Sequence, residues 1–188
     1  MFASRVERAV VMRGGLAAAA LLAVLEAPVA AQEATGVARE ALAICHSVEE
    51  LPADERSARL EEGLALAERA IVERPDDPAA HFAAFCNRGR RLQLEGPSLH
   101  LFGEIRRVRR HIERALELVP DWPDAIAGKG AMLLALPRYL GGSRTEGERL
   151  LRRAVALDPS NREARRLLAE AGVGEAPGNT VAHVGGIE

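Results

Sequence analysis

Glu68-Arg69-Ala70-Ile71-Val72-Glu73-Arg74-Pro75-Asp76-Asp77-Pro78 is the ending of a helix, and the chain writes that ending again. Glu113-Arg114-Ala115-Leu116-Glu117-Leu118-Val119-Pro120-Asp121-Trp122-Pro123 is the second form, and Arg152-Arg153-Ala154-Val155-Ala156-Leu157-Asp158-Pro159-Ser160 the third. In each, a small Ala stands five residues before a Pro. The Pro stops the helix, because it lacks an amide proton and its ring clashes with the preceding turn. The Ala marks the touching point of two antiparallel helices, where a larger side chain would push them apart. A recurring unit of this kind cannot bury its apolar face alone, so copies must stack. The spacing predicts an all-α chain of antiparallel helix pairs, about seven helices in a short solenoid.

The register around the ending resembles the second helix of a tetratricopeptide repeat. Upstream of the three Ala residues stand Gly63, Val108 and Gly147, and three residues before them Ala67, Ile112 and Leu151. In the first helix that follows, Gly130 and Ala169 occupy the small contact position, while Phe85 departs from it. Pro75 to Pro120 is 45 residues and Pro120 to Pro159 is 39, against a family period of about 34. The excess is expected between paired helices, at Leu94 to Phe102 and at Pro137 to Ser143.

Composition agrees with packed helices. Hydrophobic residues are 48% of the 188 but aromatics only 3%, which suits Ala- and Leu-rich helices rather than a β-sandwich. Of the 25 basic residues only Lys129 is a lysine, which reads as coding bias. Residues 1–31 read as a signal peptide. Arg5, Arg8 and Arg13 open it, Gly14 to Leu25 is an apolar run of 12, and Val29-Ala30-Ala31 offers a cleavage site before Gln32. The run is shorter than the roughly 20 apolar residues of a membrane span, although an uncleaved anchor is the alternative. No Cys lies near the cut, so the segment is not a lipoprotein signal. Export to the bacterial periplasm is therefore expected, with membrane contact only if the segment is retained.

Residues 32–188 carry 22 basic and 25 acidic side chains, a formal charge of −3, which argues against a nucleic-acid partner. Residues 32–171 are expected to form the helical-repeat domain. Thr35 caps its first helix, Asp54 its second, and Asp77-Pro78 opens its third. Gly96-Pro97-Ser98 breaks the chain before a fourth. Ser143 with Glu146, and Ser160 with Glu163, read as capping boxes for the last two. Residues 172–188 have no periodicity and are expected to be a flexible tail.

No catalytic, cofactor or metal motif emerges. His46, His81, His100, His111 and His183 show no HxxxH or HExxH spacing, and neither a GxSxG elbow nor a P-loop is present. Gly141-Gly142 reads as a tight turn. Arg106, Arg107, Arg109 and Arg110 read as a solvated helix face. Two readings of Cys45 and Cys86 stay open: a disulfide formed in an oxidising compartment, or two buried, unpaired thiols. Trp122 is expected to pack, and Tyr139 is open.

Repeat geometry supplies the candidate surface, because stacked first helices line a concave groove. In register, that groove holds Phe82, Cys86 and Arg90, then Asp124, Ala127, Ala131 and Leu134, then Glu163, Arg166 and Glu170. Its floor is small and apolar, and its far end charged. An exposed terminal repeat often seeks a cap, so a homo-oligomer is open.

One segment narrows the resemblance. The second helix ending is followed by Leu136-Pro137-Arg138-Tyr139-Leu140-Gly141-Gly142-Ser143 and then by the third. This resembles the T-component family of TRAP transporters, periplasmic tetratricopeptide partners of solute-binding proteins. The resemblance implies a non-catalytic envelope accessory, a scaffold that binds a protein partner. The alternative is a carrier holding a small apolar or amphipathic ligand in the groove.

Overall fold

The computed structural model describes residues 35–96 and 101–171. These form seven α-helices, and no strand occurs among the described residues. The helices are α1 (Gly36–Ser47), α2 (Ala53–Glu73), α3 (Pro78–Glu95), α4 (Leu101–Leu118), α5 (Pro123–Ala135), α6 (Arg144–Leu157) and α7 (Arg162–Glu170). Single 3-10 turns follow α1 at Val48–Glu50 and precede α6 at Arg138–Leu140. Sequential helices pack as pairs, α1 with α2, α3 with α4 and α5 with α6, and α7 lies against α6. The fold is all-α and tetratricopeptide-like. The signal segment and the C-terminal tail expected from sequence lie outside the described residues.

The repeated Ala does what its position predicts. Ala70, Ala115 and Ala154 are all fully buried. The first two share one core cluster with Ala38, Ala79, Phe82, Ile112 and Trp122. Ala154 sits in a second cluster with Ile126, Ala127, Leu133, Leu150, Leu151 and Ala164. Trp122 packs as expected, its ring centroid 4.8 Å from that of Phe82.

Glycine sets the closest helix approach in the third pair. A Cβ on Gly130 would lie 3.0 Å from the Gly147 carbonyl oxygen, and one on Gly147 would lie 2.9 Å from that of Gly130. In the second pair the register departs from expectation. The small residue of α3 facing Val108 is Gly89, whose Cβ would sit 3.9 Å from the Val108 side chain. Phe85 lies one turn earlier and points its ring at Gly128 of α5 instead.

That extra turn corrects the account of the irregular period. Both α3 and α4 have 18 residues, against 13 in α5 and 14 in α6. The 45-residue spacing is therefore absorbed mainly by longer helices, because the stripe of α4 runs back through Ile105 to Leu101. The 39-residue spacing does reside in the turn before α6. There Gly141 takes a φ of 81°, which favours glycine. Gly142 is needed for another reason: a Cβ on it would lie 1.7 Å from the Leu136 carbonyl oxygen. The Gly142 amide donates to Pro137 O at 3.0 Å and the Ser143 amide to Leu133 O at 2.9 Å, so the turn folds back on α5.

The caps are partly as read. Thr35 Oγ1 accepts from the Ala38 amide, and Asp77 Oδ1 accepts from those of Ala79 and Ala80. Ser143 Oγ accepts from the Glu146 amide, but Glu146 returns nothing to Ser143 and pairs with Arg149. Asp54 caps nothing: Pro52 holds the N-cap position of α2, leaving Asp54 to the favourable dipole of the first turn. At α7 the cap is Asn161, whose Oδ1 accepts from the Ala164 amide, while Ser160 turns back to Asp158.

Candidate functional site

The face expected to bind is lined by alternate helices, and α3 is its centre because α1, α2 and α4 all pack on it. That crowding explains why α3 buries polar side chains. Asn87 is fully buried, and its Nδ2 donates to the carbonyls of Ala41 on α1 and Ala83, each at 2.9 Å. Its Oδ1 fills the gap left by Gly63, where a Cβ would come within 2.3 Å. Arg88, 8% exposed, reaches Glu68 of α2 with one nitrogen and Glu104 of α4, at 2.7 Å, with the other. Burial raises the Glu104 carboxyl, but the hydrogen bonds from Arg88 and Arg107 outweigh it and hold the group below its ordinary value.

Below Arg88 a histidine pair joins α3 to α4. His81 Nε2 lies 2.9 Å from the Pro75 carbonyl, which can only accept. Nε2 is therefore a donor, and the Nδ1 atoms of His81 and His111 face each other across the α3–α4 contact. The two Nδ1 atoms are 3.4 Å apart, so one shared proton joins the rings. Burial, followed by the nearby His81, Arg88 and Arg110, pushes the His111 imidazole down to about 4. Asp77 is the remaining junction: besides capping α3, it accepts the Thr35 amide at 3.1 Å and so ties the start of α1 to the base of α3.

Cys45 and Cys86 are joined in a disulfide, linking α1 to α3 across 41 residues. One turn further, Arg90 pairs with Glu49 of the 3-10 turn. Together with Val48, Arg56, Leu60, Gln93 and Leu94 they line a cleft of about 90 Å³.

The ten expected groove residues do not form one surface. Phe82 and Ala127 are core residues, 6% and 2% exposed. Phe82 is enclosed by Trp122, Phe85 and Gly128, and Ala127 belongs to the cluster containing Leu151 and Ala164. Leu134 packs on Gly147 of α6. Cys86 and Arg90 are half-buried and engaged with α1 and its turn, and Ala131 is half-buried on α5. Asp124 is exposed but accepts from Asn161 Nδ2 at 2.8 Å, which fastens α7 to α5. Glu163, Arg166 and Glu170 are exposed on α7, with Arg166 between the two carboxylates. They fall on the side of α7 away from buried Ala164, so they mark the outer end of the stack rather than its inner face.

No group of three or more His, Cys, Asp or Glu side chains suited to a metal ion occurs among the described residues. Asn87, Arg88 and the histidine pair were not legible as a site, because their partners are 16 to 46 residues away.

No family model matches this chain, and no curated protein matches it in sequence. Among solved structures it is similar to the first TPR domain of Spaghetti (RPAP3), solved with the HSP90 peptide SRMEEVD. The identity is 15%, over 72% of this chain and 93% of that one, with a TM-score of 0.47.

Proposed function

We propose that the chain is an exported, non-catalytic helical-repeat scaffold whose exposed faces bind a protein partner in the cell envelope. The observation that carries this reading is where its buried polar groups go. Asp77, His81, Asn87, Arg88 and Asn161 are buried, and each is spent on joining one helix to another or capping its start. What the fold then offers is rigid surface, the usual currency of stacked helical repeats. A periplasmic setting suits the Cys45–Cys86 bond, since disulfides persist in oxidising compartments. A solute-binding protein or transport subunit is the partner class implied by the resemblance of residues 136–143 to the T-component family of TRAP transporters.

The carrier alternative draws less support. The groove floor it would use is filled, because Phe82 and Ala127 are core residues.

The test is crosslinking in cells with the tagged full chain, followed by mass spectrometry, beside an Ala131→Arg variant. Ala131 is half-buried and lies outside all three buried clusters, so the larger side chain changes the surface of α5 without entering the core. Capture of a solute-binding protein or transporter subunit by the parent but not by the variant is the expected result. Recovery of the chain alone would sink the scaffold reading and favour self-assembly.

A further inference from the structure

One side of α4 does not fit the description of an ordinary solvated face. By the period of about 3.6 residues, Phe102, Arg106, Arg109 and Arg110 lie on the same side of that helix. Arg109 Nη2 donates to the Leu140 carbonyl at 3.2 Å, which holds the turn carrying Arg138 and Tyr139 against this side. Phe102 is 61% exposed and Tyr139 79% exposed, in a chain with only 3% aromatics. Arg106, Arg110 and Arg138 are exposed and make no ion pair among the described residues.

Acidic neighbours do not cancel this charge. Glu104 is taken by Arg88 and Arg107, and Glu117 by Arg114. Glu113, half-buried, is the remaining acid on that side of α4. A chain of formal charge −2 therefore concentrates positive charge where the two most exposed aromatic rings among the described residues stand.

We propose that the α4 side bearing Phe102, Arg106 and Arg110, with Arg138 and Tyr139, docks on an anionic lipid surface. Guanidinium groups bind phosphate oxygens in forked pairs, and they need no fixed spacing when the phosphates are mobile lipid headgroups. A phenol ring is amphipathic and settles at headgroup depth, while a phenylalanine ring enters the acyl boundary. The rings project singly from two separate elements. A bilayer accepts such projections anywhere, whereas an acidic protein would need two matching pockets at that separation. Attraction of basic side chains to anionic lipid falls off within a Debye length, so the contact is salt-sensitive.

The experiment is flotation of the full chain with phosphatidylcholine vesicles in which about one third of the lipid is phosphatidylglycerol, beside pure phosphatidylcholine vesicles. The N-terminal segment is common to all variants, so differences between them report on the patch. Binding preferential for the anionic vesicles and weakened by salt is expected. The triple variant Arg106→Ser, Arg110→Ser, Arg138→Ser is expected to lower the partition coefficient roughly 100-fold. Phe102→Ala with Tyr139→Ala is expected to weaken it to a smaller extent and at all salt concentrations.

The control is Arg39→Ser, Arg162→Ser, Arg165→Ser, an equal change of charge on α1 and α7, which is expected to leave binding unchanged. All these positions are exposed, and an unchanged far-ultraviolet circular dichroism spectrum verifies the fold. Equal binding to both vesicle types, or equal losses in the patch and control variants, would overturn the proposal. So would capture by polyglutamate without capture by anionic vesicles, which would assign the patch to an acidic protein.

Discussion

The two halves of the stack are fastened by opposite means. Between α1 and α4 the helices are joined by large or covalent devices: the Cys45–Cys86 bond, Asn87 in the gap at Gly63, Arg88 between two glutamates, and the histidine pair. Between α5 and α7, beside the single Asn161–Asp124 hydrogen bond, they are joined by the near absence of side chains, at Gly130 and Gly147, and by aliphatic packing around Leu151 and Ala154. The first solution is specific and depends on each partner being present. The second depends on nothing being added. Substitutions that delete should therefore hurt the first half, and substitutions that enlarge should hurt the second.

The largest effect is expected from the disulfide. Replacing both Cys45 and Cys86 with Ser, or reducing the bond, should lower stability by about 4 kcal/mol, the loop-closure value for a separation of 41 residues. Urea unfolding with and without reductant measures it. An unchanged midpoint would place the stability of the first half in Asn87 and Arg88 instead.

Gly147→Val comes next. Its side chain would enter the Gly130 carbonyl from 2.9 Å, with an expected loss of about 3 kcal/mol from overpacking. Gly36→Ala, with nothing within 4 Å of the added carbon, is its neutral counterpart. Similar losses at both positions would erase the distinction between the halves.

The histidine pair gives a smaller, pH-dependent term. Above about pH 6.5 His111 is neutral in both folded and unfolded chains and contributes no slope. Between that value and about 4 the unfolded chain takes up a proton that the folded one refuses, so stability falls as pH falls. Below about 4 both forms are protonated and this slope ends. His111 is partly open to solvent, so we discount the total to about 2 kcal/mol. His111→Gln should flatten the stability profile across that window, as followed by thermal melts from neutral to acid pH. Smallest is Arg69→Gln, which removes an exposed pair with Glu73. A change of less than about 0.5 kcal/mol is expected.

The same contrast governs how much could be read from the chain. The repeated Ala and the glycine turn were legible because their geometry is local: Ala70, Ala115 and Ala154 are buried where the spacing places them. The run Asn87-Arg88-Gly89-Arg90-Arg91 carries no such local signal. It is largely enclosed because α3 is covered on three sides, and such coverage is a property of the stack rather than of any helix. The extra turn of α3 also displaced the inferred groove, putting Gly89 rather than Phe85 at the contact with α4 and sending Phe82 inward. Ala127 failed for a different reason. Its position on α5 was read correctly, but α6 and α7 close over it. Glu163, Arg166 and Glu170 satisfy one another on α7, a spacing visible in the sequence although their direction was not.

The attachment of Thr35 has a mechanical meaning. Any pull on the chain before residue 35 reaches the domain at the Thr35 amide, whose hydrogen bond to Asp77 leads directly to the start of α3. If that bond yields, unravelling of α1 from its N-terminal end must still draw Ala38, Ala41 and Ile44 out of the core. The unravelling halts at Cys45, where tension passes through sulfur into the middle of α3. Residues 35–45 therefore act as a short fuse, able to lengthen under force while the remaining helices stay in register.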